Sequence, residues 1–190
     1  MSDFLTDYFS GYNRVLNDFL TLDDNKFNLE KAVALLKKIK NSTTCLYLIG
    51  NGGSAAIAEH MAVDFIKCNK IRALTFSATP LLTCFANDYG YEFAFQKAVE
   101  KYGNPGDVLI AISSSGTSKN ILNACDAAKQ KSMSIITFSG FNENNPLQNK
   151  GDYNFWVNSK SYGYLEMIHN VLIHYLNDAA YGKIEYSIKD

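Results

Sequence analysis

Short apolar segments alternate with amphipathic segments from Cys45 to the end of the chain. The apolar segments have the length and the residue types of buried strands, and the segments around them have the periodicity of helices. Strands that alternate with helices build a parallel sheet covered on both faces. The sequence therefore predicts a three-layer α/β domain with a five-stranded parallel sheet. The candidate strands are CLYLI, RALTF, DVLIAI, MSIITFS and YNFWVN, and the helical segments are AAIAEHMAVDFIK, LLTCFAND, FAFQKAVEKY, KNILNACDAAKQ and YLEMIHNVLIHYLNDAAY.

Two further helices are predicted ahead of the sheet, within residues 1–42. The first has aromatic and aliphatic residues at helical spacing from Phe4 to Leu20, and the second begins near Asn28, a plausible cap. A stripe this apolar has to be buried, either on the sheet of its own chain or on a second subunit. We therefore expect residues 1–42 to contribute to an interface between subunits.

The size and charge of the chain limit the possible partners. Its 190 residues fit one domain, and its net charge is −1. Arg14 and Arg72 are the only arginines among 18 basic residues. A protein that binds duplex nucleic acid usually carries a basic face, so a nucleic-acid partner is not expected. An anionic ligand would have to be held by backbone amides, hydroxyls and helix ends.

The N-terminal segment and the cysteines indicate a cytoplasmic protein. The first residues lack a basic segment followed by an apolar one, and no apolar run is long enough to span a membrane. The four cysteines are widely spaced and lie in apolar segments, which favours buried free thiols over a metal or redox site. They are Cys45, Cys68, Cys84 and Cys125.

A glycine-rich turn follows the first candidate strand. Residues Gly50 to Ala55 satisfy the G-x-G-x-x-[GA] pattern of dinucleotide sites, between a strand and a helix. No carboxylate follows the next strand to hold a ribose, and no Lys-Ser/Thr pair completes a P-loop. Dinucleotide binding is therefore disfavoured. Such a turn still lets backbone amides and a helix N-terminus come close to a ligand.

A serine-rich loop follows the strand DVLIAI. Residues Ser113 to Ser118 place five hydroxyls around Gly116, just before a helix. Hydroxyls and the free amides of a first helical turn can bind the oxygens of a phosphate group. The alternative is a serine-rich turn in which one serine caps the helix, and the segment alone does not decide between the two.

All three histidines lie on two predicted helices that also carry carboxylates. His60 and Asp64 are four residues apart and share a helix face, so they can chelate one metal ion. The last helix carries Glu166, His169 and His174; His169 is interpreted as structural. At about 1.5 Å per residue, Glu166 and His174 are roughly 12 Å apart along a helix. This distance is near the limit that two side chains can span to bind one ion. If both residues bind a metal, either the helix begins at Glu166 and its side chain folds along the axis, or the two residues serve different copies of a site.

Four ordered blocks of the chain together resemble the sugar isomerase (SIS) domain family and, within it, the phosphoheptose isomerases. The blocks are IGNGGSAAIAEHMAVDF, CFANDYGYE, GDVLIAISSSGTSKNIL and YLEMIHNVLIHYL. The resemblance covers essentially residues 1–190 and implies a single flavodoxin-like domain. It also implies a homotetramer with active sites between subunits. The implied reaction converts sedoheptulose 7-phosphate to D-glycero-D-manno-heptose 7-phosphate, for bacterial lipopolysaccharide or capsule.

The resemblance also implies a set of site residues. Four side chains occupy the positions that bind zinc in the family, one ion per subunit: His60, Asp64, Glu166 and His174. Another set matches the positions that bind the sugar phosphate: Asn51, Gly52, Gly53, Ser54, Asn87, Asp88, Ser113, Ser114, Ser115 and Ser118.

Four positions depart from the family pattern. Typical members carry glutamate in place of Asp64, glutamine in place of Glu166, and an Asp-Arg pair in place of Gly163 and Tyr164. The catalytic base is therefore left open between Asp64 and Glu166. His174 could act as an acid without a metal or as a ligand with one, but it cannot do both at once.

Two functions without isomerisation are the alternatives. Some SIS-domain tetramers bind a partner protein, as the replication-initiator-associating protein does. Those relatives tend to lose the histidine of the last helix, whereas this chain keeps His174. A phosphosugar-sensing regulator is disfavoured because no helix-turn-helix segment is present. Isomerisation is the favoured prediction.

Overall fold

The computed structural model describes residues 3–186, and one five-stranded parallel sheet forms its centre. The strands lie in the order β2-β1-β3-β4-β5, with every neighbouring pair parallel. The predicted α/β architecture is therefore confirmed. The strands are β1 (Cys45–Ile49), β2 (Arg72–Thr75), β3 (Val108–Ser113), β4 (Ser134–Ser139) and β5 (Tyr153–Trp156).

Seven α-helices accompany the sheet within the described residues. They are α1 (Phe4–Thr21), α2 (Asp23–Ile39), α3 (Gly53–Asn69), α4 (Thr79–Tyr89), α5 (Ala94–Tyr102), α6 (Lys119–Gln130) and α7 (Tyr162–Tyr181). Short 3₁₀ helices lie at Tyr91–Phe93 and, inside the long polar loop, at Pro146–Asn149.

The helices cover both faces of the sheet with separate apolar cores. Successive side chains of a strand point to opposite faces. Leu46 and Leu48 of β1 accordingly pack into a core with α1, α2, α3 and α7, while Tyr47 and Ile49 pack into a core with α5 and α6. Burial on both sides explains why the central strands β1 and β3 are apolar almost throughout, whereas the edge strands β2 and β5 also carry polar residues.

The order of the strands creates a crevice beside β1. The chain passes from β1 outward to β2 and then returns to β3 on the other side of β1. In open parallel sheets, ligands bind at such a switch point, outside the carboxyl ends of the strands. The glycine-rich turn follows β1 and the serine-rich loop follows β3, so the two segments lie at this crevice.

The N-terminal helices differ from the prediction in where α2 begins. It begins at Asp23 rather than near Asn28, which lies inside the helix. Asp23 and Asp24 occupy its first turn, where negative charge is favourable. The buried Asn25 side chain donates a hydrogen bond to the carbonyl of Phe19, 2.9 Å away, and so ties the start of α2 to α1.

The apolar stripe of α1 is only partly covered within the chain. Val15 and Phe19 are buried, but Phe4 is 79% exposed, and Leu5 and Phe9 are also exposed. The subunit interface predicted for residues 1–42 therefore stays a prediction.

Three of the four cysteines are buried free thiols, as predicted. Cys84 is the exception, because it lies on α4, a helix without buried residues. None of the helices between residues 3 and 186 is both long and apolar enough to cross a membrane.

Candidate active site at the carboxyl edge of the sheet

The turn after β1 needs glycine for two different reasons. A Cβ on Gly50 would lie 2.5 Å from the backbone of Ser54, so a side chain there would collide with the start of α3. Gly52 has a φ of +53° in a conformation outside the usual regions, which favours glycine. Its carbonyl accepts hydrogen bonds from the amides of Ala55 and Ala56, at 3.0 and 3.2 Å. At these two positions the turn therefore needs backbone without a side chain.

The loop after β3 is built around another glycine. Gly116 has a φ of +65°, and a Cβ on it would overlap the side chain of the buried Asn145. The hydroxyl of Ser113 lies 3.2 Å from that of Ser118, across the loop. The hydroxyl of Ser115 accepts from the backbone amide of Thr117. The serines are thus gathered at the N-terminal end of α6.

The turn and the loop together enclose a pocket of about 150 Å³. It brings together six of the predicted substrate residues with Ile112, Tyr162 and Glu166. The six are Asn51, Ser54, Ser113, Ser114, Ser115 and Ser118. None of the nine lining residues is basic, so a phosphate group here would be bound by hydroxyls, amides and the dipoles of α3 and α6.

Glu166 supplies the only carboxylate among the residues that line this pocket. A Cβ built on Gly53 would lie 2.5 Å from its carboxylate, so the first residue of α3 has to be small to accept this contact. Glu166 and Gly53 also line a surface groove of about 500 Å³ that reaches His60. The carboxylate therefore lies between the serine-lined pocket and the histidines.

Three of the four predicted metal ligands come together on α3 and α7. Asp64 Oδ2 lies 3.4 Å from His60 Nε2 and 3.8 Å from His174 Nδ1. One potential ligand atom from each side chain lies within 4.8 Å of the others. Two imidazoles and a carboxylate form a donor set that suits zinc and that leaves a coordination position open. These residues therefore fit a metal ion.

Glu166 is not part of this cluster within one chain. The helix α7 begins at Tyr162, four residues before Glu166, so the alternative in which the helix begins at Glu166 is wrong. Glu166 and His174 are separated by eight residues of continuous helix. That the two residues serve different copies of the site stays a prediction.

The four other predicted substrate residues do not line the pocket in the single chain; they are Gly52, Gly53, Asn87 and Asp88. Gly53 lines the adjoining groove instead. Asn87 and Asp88 lie on the exposed surface of α4, where the Asn87 amide donates to the Asp88 carboxylate over 2.9 Å. His169 is buried in the core, and its Nε2 lies 3.2 Å from the carbonyl of Ser139. Burial lowers the pKa of His169 to about 4, so the ring is neutral near pH 7. This agrees with its structural interpretation.

The site also contains residues that the sequence did not single out. Tyr162 lines the pocket, and the side chains of Asn120 and Tyr91 contact Asn51. Asn120 comes two residues after the serine-rich loop, and this closeness to a predicted binding loop is the signal that could have identified it. Tyr91 is 40 residues from Asn51, and no local pattern connects them.

The two remaining departures from the family pattern face α1 and not the pocket. The hydroxyl of Tyr164 donates to the carbonyl of Tyr8, 2.7 Å away. A Cβ on Gly163 would lie 3.0 Å from the Tyr8 hydroxyl. In one chain these positions therefore serve the packing of α1 on α7.

Comparisons with known proteins agree with this architecture. The model of the SIS domain matches residues 7–140. The chain is 31% identical to a phosphoheptose isomerase of Fusobacterium nucleatum over 165 residues, which is 84% of each protein.

Two solved structures of phosphoheptose isomerases have the same fold. The Francisella tularensis protein is 25% identical, with a TM-score of 0.85 over 95% of this chain and 98% of that one. The Neisseria gonorrhoeae protein is 27% identical, with a TM-score of 0.82 over 93% and 96% of the two chains. Because the family model matches residues 7–140, which is more than half of this chain, the chain belongs to the SIS domain family.

Proposed function

We propose that this protein is a phosphosugar isomerase that interconverts sedoheptulose 7-phosphate and D-glycero-D-manno-heptose 7-phosphate. The observation that carries the proposal is the pocket between the glycine-rich turn and the serine-rich loop, with Glu166 at its wall. Relatives that span most of the chain are named phosphoheptose isomerases, which supports this choice of substrate.

The phosphate group is assigned to the serine-rich loop. The hydroxyls of Ser113, Ser115 and Ser118 can donate to its oxygens, and the N-terminal end of α6 favours negative charge. In a ketose 7-phosphate the reacting carbons C1 and C2 lie at the opposite end of the chain from the phosphate. The carbon chain would therefore run from the serine loop past Glu166, toward the groove that reaches His60.

Glu166 is the favoured catalytic base. An aldose–ketose isomerisation removes a proton from C1 of the ketose, passes through an enediol and returns a proton to C2. Asp64 lies between two imidazoles and would be occupied as a metal ligand. Glu166 has no ion-pair partner among the described residues and lines both the pocket and the groove. It is thus the carboxylate that remains free to move the proton.

The metal would be held by His60, Asp64 and His174. We assign it as one zinc ion per subunit, because the donor set mixes imidazole with carboxylate. A zinc ion bound there would act as a Lewis acid toward the oxygens at C1 and C2. As a ligand, His174 would not be available as an acid. Glu166 lies outside this cluster, so the fourth coordination position would be left open for the substrate.

The proposal includes a cytoplasmic homotetramer with its active sites between subunits. Exposed apolar residues support an assembly, because Phe4 and Leu5 on α1 and Val171 on α7 lie uncovered in the single chain. Asn87 and Asp88 remain candidate substrate residues for that assembly.

The experiment is incubation of the purified protein with ketose 7-, 6- and 5-phosphates, with and without zinc, followed by NMR. Conversion of the 7-phosphate to an aldose is expected. Binding of a sugar phosphate without conversion under any metal condition would instead support the alternative, a SIS-domain protein that binds its ligand or a partner without chemistry.

A further inference from the structure

The carboxamide of Asn51 is held by two neighbouring side chains. The hydroxyl of Tyr91 donates to Asn51 Oδ1 over 2.7 Å. Asn120 makes a reciprocal pair with Asn51: its Nδ2 donates to Asn51 Oδ1 over 2.8 Å, and its Oδ1 accepts from Asn51 Nδ2 over 3.0 Å. The amide of Asn51 thus makes three hydrogen bonds before any ligand binds.

The direction of each bond follows from one backbone amide. The N–H of Ile121 can only donate, and it lies 3.0 Å from Asn120 Oδ1. This contact fixes the oxygen end of the buried Asn120 and therefore which end of Asn51 faces it. Oδ1 of Asn51 then accepts from both Asn120 and Tyr91, which fills its two lone-pair positions.

One N–H of Asn51 is left over. Its Nδ2 carries two hydrogens, and Asn120 accepts only one of them. Asn51 lines the serine pocket, so the group available to a ligand there is a donor and not an acceptor.

We infer that Tyr91 and Asn120 are positioning residues that lock Asn51 as a hydrogen-bond donor to an oxygen of the bound sugar phosphate. This inference rests on the proposed function. It adds the direction of the hydrogen bonds to the substrate: Asn51 donates a hydrogen bond, whereas the carboxylate of Glu166 accepts one. A substrate has to offer a lone pair to Asn51, which an ammonium group at that position could not do.

The position of Tyr91 is itself supported. It belongs to the 3₁₀ helix Tyr91–Phe93, and the next residue, Glu92, accepts a hydrogen bond at its carbonyl from Asn123 Nδ2 over 2.9 Å. The segment is thereby tied to α6, the helix that also carries Asn120. The two residues that hold Asn51 therefore belong to one connected unit.

A double-mutant cycle tests the inference. Tyr91→Phe removes only the hydroxyl and, at the worth of one hydrogen bond, should lower kcat/KM roughly 5- to 10-fold. In an Asn51→Ala background the same change should alter kcat/KM by less than about 2-fold, because the hydroxyl then has nothing to position. Tyr89→Phe is the matched control, since no described residue forms a hydrogen bond with the Tyr89 hydroxyl; it should leave kcat/KM unchanged.

The outcomes separate the inference from the proposed function. An equal loss from Tyr91→Phe in both backgrounds, or no loss in either, would overturn the inference while isomerisation by the wild type stands. If the wild type does not isomerise, the proposed function fails, and the same cycle is measured as the Kd for sedoheptulose 7-phosphate by calorimetry. A coupled loss of affinity would then support the positioning role, whereas additive losses or no binding by the wild type would overturn it.

Discussion

Gly53→Ala should lower the activity of the protein while its stability stays almost unchanged. The new Cβ would lie 2.5 Å from the carboxylate of Glu166, and ordinary contact begins at 3.4 Å, so the carboxylate has to retreat by about 0.9 Å. A misplacement of about 1 Å in a catalytic group can cost about 100-fold in rate. We therefore expect kcat to fall by about that factor.

The fold should tolerate the same substitution. Gly53 is the first residue of α3, its φ is not positive, and alanine in a helix is favoured over glycine by up to about 1 kcal/mol. The group that moves is the end of a flexible side chain. The free energy of unfolding should therefore stay within about 1 kcal/mol of the wild type.

The assay combines steady-state kinetics with denaturant unfolding. Gly106→Ala is the control, because Gly106 has a φ of +88° in open space outside the residues that line the site. It should lower the free energy of unfolding by about 1 to 2 kcal/mol without lowering kcat. If Gly53→Ala keeps kcat within threefold of the wild type while it remains folded, the role assigned to Glu166 is refuted.

Three further predictions concern the metal, the phosphate and the buried histidine. His174→Ala should lose most of its bound zinc in metal analysis, because it removes one of three clustered ligands, whereas Glu166→Gln should keep it; equal metal contents would contradict the cluster. Replacing both Ser113 and Ser118 with alanine should raise the KM for the sugar 7-phosphate by about tenfold or more, at the usual worth of hydrogen bonds to a charged group. An unchanged KM would make the loop a plain turn. The pKa of His169 is about 4 in the folded chain, against 6.5 for an ordinary histidine. Between these two pH values the unfolded chain therefore binds a proton that the folded chain does not bind. Stability should therefore fall by about 3 kcal/mol from pH 7 to pH 4, and less in His169→Gln; an equal fall in denaturant unfolding of both proteins would count against this origin.

The centre of the sheet could be predicted because strands β1 and β3 are buried on both faces. A continuous apolar run such as CLYLI needs no tertiary information to be recognised as a buried strand. The start of α2 could not be predicted in the same way. It depends on the contact between Asn25 and the carbonyl of Phe19, which exists only after α1 and α2 have packed.

The parts of the pocket that come from a single turn or loop could be predicted from the sequence. The glycines after β1 and the serines after β3 lie next to strand ends in the sequence, and parallel strands bring those ends to one edge. Asn51 and Tyr91 meet through the packing of distant segments, which no spacing reveals. The separation of Glu166 from the histidine cluster followed from helical rise alone, once α7 was known to be continuous through both residues.

The most direct test of the central claim is the isomerisation of sedoheptulose 7-phosphate in D₂O, followed by NMR for the wild type and Glu166→Gln. If a carboxylate moves the proton through an enediol, solvent deuterium should enter C2 of the aldose formed by the wild type. Glu166→Gln should form little of this product although it still binds zinc. Wild-type rates and deuterium contents in Glu166→Gln would contradict the account.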